Sequence, residues 1–261
     1  MLRLVLMTVL FLSTFNVYTY ERIVILSPSA ADIVDKLALG DFVVGKTKNV
    51  DHFSKAIKVG THIRPNIELI KSLNPDFIIM TYNLFNRDNF VKSINADFYI
   101  YSPSTLKEIV ASIEALGAKL GREEKANKII ADLNSMLKSV ENVKNKPEII
   151  YEITQIPLTV AGRKSIIYDI IKTAGGKAMF QDNRRFIKIS SEMIIKNSPD
   201  IYIYQKGPMN KNPDPPEKRD LFNNLNLLVV KVDELTFSRA NTTSFLNVLE
   251  LNKLFLKWGE H

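Results

Sequence analysis

The hydrophobic and polar positions of this chain repeat one pattern twice. Residues 68–80 read ELIKSLNPDFIIM and residues 192–204 read EMIIKNSPDIYIY, with a glutamate, an isoleucine, a Pro-Asp pair and a closing apolar run in the same order. Each copy predicts a short helix with an acidic first turn, a stop at the proline and then a buried strand. The duplication therefore indicates two similar α/β lobes, and a cleft between two lobes is a common place for a ligand.

The segment before the first copy has the order strand, helix, strand. Residues 22–26 (RIVIL) form a continuous apolar run that is typical of a parallel strand buried on both faces. A helix over residues 30–39 and a second short strand over residues 42–44 follow. Further strands are predicted at residues 77–80 and 98–101, so the N-terminal lobe spans residues 21–121.

The lobes are joined by a stretch that predicts one long helix. Residues 122–144 contain neither glycine nor proline, and their apolar side chains recur with helical spacing. At 1.5 Å per residue such a helix would extend roughly 33 Å, about the breadth of a small domain. We assign residues 122–146 to this linking helix.

The C-terminal lobe then spans residues 147–261. It begins with a strand over residues 148–153, and Ser165 is placed to cap a helix over residues 166–172. Residues 205–220 are rich in proline and charge and predict a surface loop. The fold class is α/β, with two Rossmann-like lobes, mostly parallel sheets and one long connecting helix.

The first twenty residues predict a secretory signal peptide. Arg3 is their only charge, residues 4–12 are almost wholly apolar, and residues 13–20 become small and polar. The apolar run is too short to cross a bilayer comfortably. An uncleaved membrane anchor stays open as the alternative, because no A-x-A cleavage site follows the run.

Composition limits the chemistry. The chain has no cysteine, so disulfides, thiolate metal sites and cysteine nucleophiles are excluded. An acylated lipoprotein cysteine is also excluded, which favours a periplasmic protein without a lipid anchor. Only three histidines are present, and we predict no metal site of the protein's own.

The net charge of +7 arises from Lys and Arg residues scattered among Asp and Glu. Nucleic-acid binding proteins concentrate such charge in one patch or stripe, so we predict no nucleic-acid partner. An anionic small ligand, or solubility alone, explains the surplus equally well.

The chain resembles the periplasmic solute-binding proteins of the iron-chelate and vitamin B12 type, which supply ABC importers. The resemblance covers nearly all of the chain after the signal peptide and is carried by RIVILSPSAADIVDKLALGDFVVG (22–45), VGTHIRPNIELIKSLNPDFII (59–79), VAGRKSIIYDIIKTAGG (160–176) and KISSEMIIKNSPDIYIY (188–204). It implies a monomeric receptor of class III architecture with little hinge motion, not an enzyme. The implied ligand is an iron chelate (siderophore), haem or a corrinoid such as cobalamin, which brings its own iron or cobalt, so no resident cofactor is expected.

In this family a surface glutamate of each lobe meets arginines of the permease in the inner membrane. The matching positions are Glu68 and Glu192. A second interpretation stays open, because an acidic residue in the first turn of a helix also offsets the positive end of its dipole.

Ligands of open α/β sheets lie beyond the carboxyl ends of the strands, and the loops there supply candidate contacts. They are Ser29, His62, Arg64, Tyr82, Arg163, Arg184, Arg185 and Arg239. His62 occupies a loop where members of the family often place a ligand contact. Guanidinium groups suit carboxylate, catecholate or phosphate groups, so we predict an anionic chelate, although any single arginine could instead be structural. Tyr82 could stack on a planar macrocycle or close the core.

Two other classes of function remain open at this point. An exported hydrolase with an active site between the lobes is one, but the chain lacks G-x-S-x-G, P-loop, G-x-G-x-x-G and H-E-x-x-H motifs. Asp51, His52 and Ser54 lie too close in sequence to form a catalytic triad, because triads are assembled from distant segments. The other class is a periplasmic scaffold that contacts the permease without a ligand.

Overall fold

The first strand of the chain lies at the centre of a five-stranded sheet. The coordinates are a computed structural model, which describes residues 20–260 apart from residues 83, 85 and 224. Residues 1–19 of the predicted signal peptide, and His261, lie outside this description. Tyr20, which the sequence assigns to the end of the signal peptide, packs on the N-terminal lobe with its ring 4.6 Å from that of Phe77.

The N-terminal lobe contains five described strands and four α-helices. They are β1 (Ile23–Ile25), α1 (Ala31–Lys36), β2 (Val43–Lys46), β3 (Ile57–Lys58), α2 (Ile67–Ser72), β4 (Phe77–Met80), α3 (Arg87–Ser93), β5 (Asp97–Ile100) and α4 (Leu106–Lys119). The strand order is β3-β2-β1-β4-β5, and all neighbours are parallel. Every residue of β1 and β4 is buried, as expected of central strands covered on both faces.

The C-terminal part follows the connecting helix. The connecting helix is α5 (Glu123–Lys138). The described elements after it are β6 (Glu148–Thr154), β7 (Thr159–Ala161), α6 (Ile166–Thr173), β8 (Lys177–Ala178), β9 (Phe186–Lys188), α7 (Ser191–Asn197), β10 (Ile201–Lys206), β11 (Leu228–Asp233), α8 (Glu234–Phe237) and α9 (Thr243–Trp258). The order is β11-β10-β6-β7-β9, with β8 beside β6. Among the described strands of this sheet, the pairings of β7 with β6 and with β9 are antiparallel, and the others are parallel. The prediction of two α/β lobes with mostly parallel sheets is confirmed.

The linking helix is shorter than the sequence predicts. It starts at Glu123 and ends at Lys138, so the prediction of one helix through residue 144 is wrong in its last turns. Tertiary contacts explain the early end: the Asn252 side chain on α9 accepts from the Glu141 N–H at 3.0 Å and donates to its C=O at 2.9 Å. Val143 is buried against Gly175. These contacts outweigh the local helical pattern, which is a weak preference by itself.

The duplicated pattern corresponds to duplicated geometry. The residue before each Pro-Asp pair, Asn74 or Ser198, has a φ of 44°. The following Asp76 accepts from two backbone N–H groups just before β1, at 2.7 and 3.0 Å. Its counterpart Asp200 accepts from the N–H of Glu148 at the start of β6, at 2.7 Å. Each aspartate therefore ties the end of its helix to the first strand of its lobe.

Buried contacts join the two lobes. Helix α5 packs against α4 of one lobe and α9 of the other, and one apolar cluster includes residues of both lobes. The Tyr101 hydroxyl donates to the Ala240 carbonyl at 2.8 Å, and burial raises the pKa of this phenol well above its usual value. The Asp32 carboxylate accepts from the N–H and hydroxyl of Thr242, at 3.1 and 2.7 Å. These contacts hold residues 240–242, which follow α8, against α1 and against the residue that follows β5.

Candidate functional site

The loop after β2 faces the segment after α8, and we call this region between the two lobes the groove. Arg239 of the C-terminal lobe donates from its guanidinium to the Asn49 carbonyl of the N-terminal lobe at 2.8 Å. Asn49 follows β2, and Arg239 follows β11 and α8. This is the carboxyl edge of both sheets, where ligands of open α/β sheets bind.

His62 is held in this region by a tight turn. Gly60 adopts a φ of 102°, and a Cβ at that position would come within 3.1 Å of the Arg64 carbonyl oxygen. The turn is fixed further by the Asn66 N–H, which donates to the Val59 carbonyl at 2.8 Å. The half-buried imidazole is thus placed by backbone geometry that favours glycine.

The electrostatics around His62 favour its neutral form. Burial lowers the pKa of the imidazole, and the positive charges of Arg239 and Arg185 lower it further. Its Nδ1 atom is buried and has no hydrogen-bond partner among the described residues. A neutral histidine that feels the charge of two guanidinium groups can ligate a metal while the cations attract an anion.

The two guanidinium groups near His62 are partly desolvated. Arg239 is half-buried, and desolvation is the first cause of its lowered pKa, opposed by the charges of Asp51, Asp233 and Glu234. Arg185 remains accessible to solvent, but neighbouring protein atoms desolvate its guanidinium and lower its pKa. Both groups stay charged at neutral pH. An anionic group in the groove would therefore find cations that have already lost part of their hydration.

The other arginines of the predicted site have different surroundings. Arg184 is tied to Asp182 by two parallel bonds of 2.7 and 2.9 Å, although it is adjacent to Arg185. Arg163 lies with its guanidinium carbon 6.0 Å from the ring centre of Tyr168. Arg64 is exposed in the His62 turn.

Ser29 and Tyr82 lie at the carboxyl ends of β1 and β4. Ser29 is half-buried within a short 3-10 turn, Pro28–Ala30. The Tyr82 ring is an exposed surface group, with the Arg87 guanidinium 4.7 Å from its centre. It is therefore available for stacking and does not close the core.

Two residues at this edge were missed by the sequence analysis. Thr47 and Thr81 directly follow β2 and β4, and their hydroxyl oxygens are buried without a hydrogen-bond partner among the described residues. An unsatisfied buried polar group costs roughly 1–3 kcal/mol. The strand-end rule that led to Ser29 and Tyr82 would also have identified both threonines.

The loop after β10 is anchored more firmly than its composition predicts. Glu152 is fully buried on β6, and it accepts from the Tyr202 hydroxyl at 2.6 Å and from the two terminal nitrogens of Arg219 at 2.5 and 3.0 Å. Arg219 also donates to the Asp214 carbonyl. The surface loop predicted at residues 205–220 starts later than expected, since Gln205 and Lys206 belong to β10, and it is fastened to the sheet by an internal ion pair.

Glu68 and Glu192 occupy equivalent positions. Each is the second residue of its helix, α2 or α7, and each is exposed. Glu68 forms an ion pair with Lys71 at 3.2 Å. The Ser190 hydroxyl, and then its own backbone N–H, hold the pKa of the Glu192 carboxyl below its usual value.

Other candidate sites have less support. The side chains of Asp51, His52 and Ser54 are all exposed. This exposure agrees with a polar loop and not with a catalytic triad. Within the part of the chain that the structure describes, no group of three His, Asp or Glu side chains is arranged to hold a metal ion. A cavity of about 480 Å³ is lined by residues that include Asp200, Leu228 and Trp258, at the amino ends of β10 and β11 and away from His62.

None of the described helices combines the length and the apolar character needed to cross a membrane.

A match to a family model decides to which family the chain belongs. The model of the family described as periplasmic binding protein matches residues 23–224, which include most of both lobes. The chain belongs to this family. The periplasmic binding protein fold accounts for the paired lobes, the connecting helix and the groove between them.

Individual relatives are similar over much of the chain. The high-affinity heme uptake system protein IsdE of Staphylococcus aureus (strain bovine RF122 / ET3-1) is 29% identical over 194 residues, which cover 70% of this chain and 65% of the relative. The match thus spans slightly less than two thirds of the relative's length. The structure of S. aureus IsdE complexed with heme has a TM-score of 0.73 and 25% identity, and it covers 90% of this chain and 98% of that chain.

A vitamin B12 binding protein has the same fold. The periplasmic protein BtuF of Vibrio cholerae has a TM-score of 0.71 at 19% identity, covering 92% of this chain and 98% of that chain. The relatives named here are binding proteins, and their shared architecture agrees with the class III fold expected from the sequence.

Proposed function

We propose that this protein captures a metal chelate with acidic substituents, haem above all, in the groove between its lobes and delivers it to an ABC permease. It acts by binding and not by catalysis, and the iron or cobalt arrives within the ligand, so that no resident cofactor is needed. The observation that carries this proposal is that half-buried His62 has a lowered pKa, to which the charges of Arg239 and Arg185 contribute after burial.

The chemistry of these three residues suits haem. A neutral imidazole is the form that ligates iron, and the surroundings of His62 favour this form. The guanidinium groups can each pair with a carboxylate through two hydrogen bonds, and haem carries two propionates on one edge. The name of the relative IsdE, a heme uptake protein, supports the same ligand class.

Absorbance titration tests the proposal directly. Purified apoprotein titrated with hemin should develop a shifted Soret band that saturates at one equivalent. His62→Ala should change the band position, since the iron would lose its imidazole. Arg185→Ala and Arg239→Ala should each weaken binding about tenfold or more, because a charge-assisted hydrogen bond contributes about 1.5–3 kcal/mol.

Arg184→Ala is the matched comparison. Arg184 is adjacent to Arg185 but is tied to Asp182, so its loss should have a smaller effect. Parallel titrations with cyanocobalamin and with a ferric catecholate siderophore would identify a different chelate. If none of the three compounds binds, capture of a chelate is refuted, and a ligand-free scaffold becomes the better explanation.

The proposal also includes location and partner. The N-terminal segment would direct export to the periplasm as a protein without lipid, since the chain has no cysteine, and the protein would work as a monomer.

Glu68 and Glu192 would contact arginines of the permease. Charge reversal at both sites should abolish uptake while hemin affinity stays unchanged. Loss of hemin affinity instead would refute the docking role.

A further inference from the structure

The two copies of the repeated unit differ at one exposed position. In the N-terminal copy, Glu68 is followed three residues later by Lys71, and the two side chains form an ion pair of 3.2 Å. In the C-terminal copy the equivalent of Lys71 is Ile195, which is 40% exposed. Residues three apart on a helix are neighbours on its surface. The second glutamate therefore has an apolar neighbour where the first has a cation.

More apolar surface surrounds Glu192. Met193 is 43% exposed and Leu221 is 62% exposed. On a helix Met193 and Ile195 lie on opposite sides of Glu192. The 3-10 turn that carries Leu221, Asp220–Phe222, packs against α7. Glu192 is thus flanked on α7 by two exposed apolar side chains, and Leu221 is exposed on a turn that packs against the same helix; we call Met193, Ile195 and Leu221 the α7 apolar rim.

The corresponding face of α2 is different. The equivalent of Met193 is Leu69, which is half-buried, and the equivalent of Ile195 is the charged Lys71. Exposed apolar side chains that adjoin one another mark interaction surfaces more often than single ones do. Only the C-terminal copy of the repeated helix carries such a set.

The carboxylates of Glu68 and Glu192 also differ in the groups that contact them. The Ser190 hydroxyl lowers the pKa of the Glu192 carboxyl, which favours its ionised form. Among the described residues no cation forms an ion pair with Glu192, including Lys196, which lies one turn further along α7. An incoming arginine could pair with Glu192 directly, whereas at Glu68 it would have to displace Lys71.

We propose that the two lobes contact the permease unequally, with the C-terminal lobe making the stronger and partly apolar contact. Glu192 and the α7 apolar rim would meet a permease segment that combines an arginine with apolar side chains. Glu68 would make a contact that depends on charge alone. This inference rests on the proposed docking of Glu68 and Glu192 to the permease.

A reciprocal exchange of the two differing residues tests the inequality. Ile195→Lys gives the C-terminal copy the pattern of the N-terminal copy, and Lys71→Ile does the reverse. Both positions are exposed and neither is among the proposed chelate contacts, so folding and hemin binding should be unaffected, as thermal melting and hemin titration would verify. Binding is then measured by surface plasmon resonance to the protein's own ABC permease in nanodiscs, with empty nanodiscs of the same lipids as the blank.

The expected result is asymmetric. Ile195→Lys should weaken binding to the permease about tenfold, because it removes apolar contact and adds a cation beside the docking arginine. Lys71→Ile should leave the affinity unchanged or raise it. Glu192→Gln should also weaken binding more than Glu68→Gln, and raising the salt concentration should reduce the Glu68 contribution first.

Two outcomes overturn the proposals separately. If Glu68→Gln and Glu192→Gln weaken binding equally and Ile195→Lys has no effect, the docking proposal stands and the inequality is refuted. If reversing both glutamate charges leaves binding to the permease unchanged, docking through these residues is itself refuted, and the inequality with it.

Discussion

His62 owes its character to its neighbours. The imidazole is half-buried, and both burial and the charges of Arg185 and Arg239 lower its pKa. These two arginines come from the other lobe and are more than a hundred residues away in sequence. The chemistry of this histidine is therefore a property of the assembled groove and not of the loop that carries it.

The lowered pKa of His62 predicts the pH dependence of binding. A proton competes with iron for the imidazole, and the folded protein holds that proton less tightly than a free histidine does. Hemin affinity should thus stay constant as the pH falls to the ordinary histidine pKa of 6.5 and decline only below it. Titrations at a series of pH values would measure this. A decline centred at or above the ordinary pKa, or the same decline in His62→Ala, would contradict the assignment.

At the scale of elements, the loop after β10 depends on one buried ion pair. The Glu152 side chain is 0% exposed and that of Arg219 is 12% exposed. Arg219→Met should lower the free energy of unfolding by about 3 kcal/mol or more, because it leaves a buried carboxylate without its cation. Urea denaturation would measure the change.

Arg184→Met is the matched control for this prediction. Arg184 also forms a bidentate pair, with Asp182, but both side chains of that pair are exposed. Exposed pairs contribute little to stability, so this variant should unfold at nearly the same urea concentration as the wild type. Equal effects of the two variants would show that burial of the Glu152 pair is not what anchors the loop.

The elements themselves were largely predictable, and the exceptions have a common cause. The predicted cap Ser165 accepts from the N–H of Tyr168, because capping is a local interaction. The end of α5 and the anchoring of the loop after β10 were not predictable. They depend on Asn252 and Glu152, which act from distant segments, and no local pattern reports such contacts.

At the scale of the whole molecule, the sequence located the edge of the sheets that forms the groove but not the residues that meet there. The rule that loops follow the carboxyl ends of strands led to His62 and Arg239. It could not distinguish Arg185 from Arg184, which are adjacent in sequence but differ in partner: one lies near His62 and the other is held by Asp182. Thr47 and Thr81 were overlooked, although they directly follow β2 and β4 and the same rule applies to them.

The duplication has a consequence for the assembly as a whole. Asp76 and Asp200 tie equivalent helices to equivalent strands, so Glu68 and Glu192 are presented in the same way by both lobes. A receptor built in this manner can place two carboxylates on a paired permease surface. The exchange of Lys71 for Ile195 in the second copy then distinguishes the two ends.

The central claim is that the ligand lies between the lobes and contacts both. Hydrogen–deuterium exchange with and without hemin tests it most directly. We predict protection in residues 47–64 of the N-terminal lobe together with residues 181–188 and 236–242 of the C-terminal lobe. Protection of only one lobe, or protection confined to the cavity beside Asp200 and Trp258, would contradict the claim.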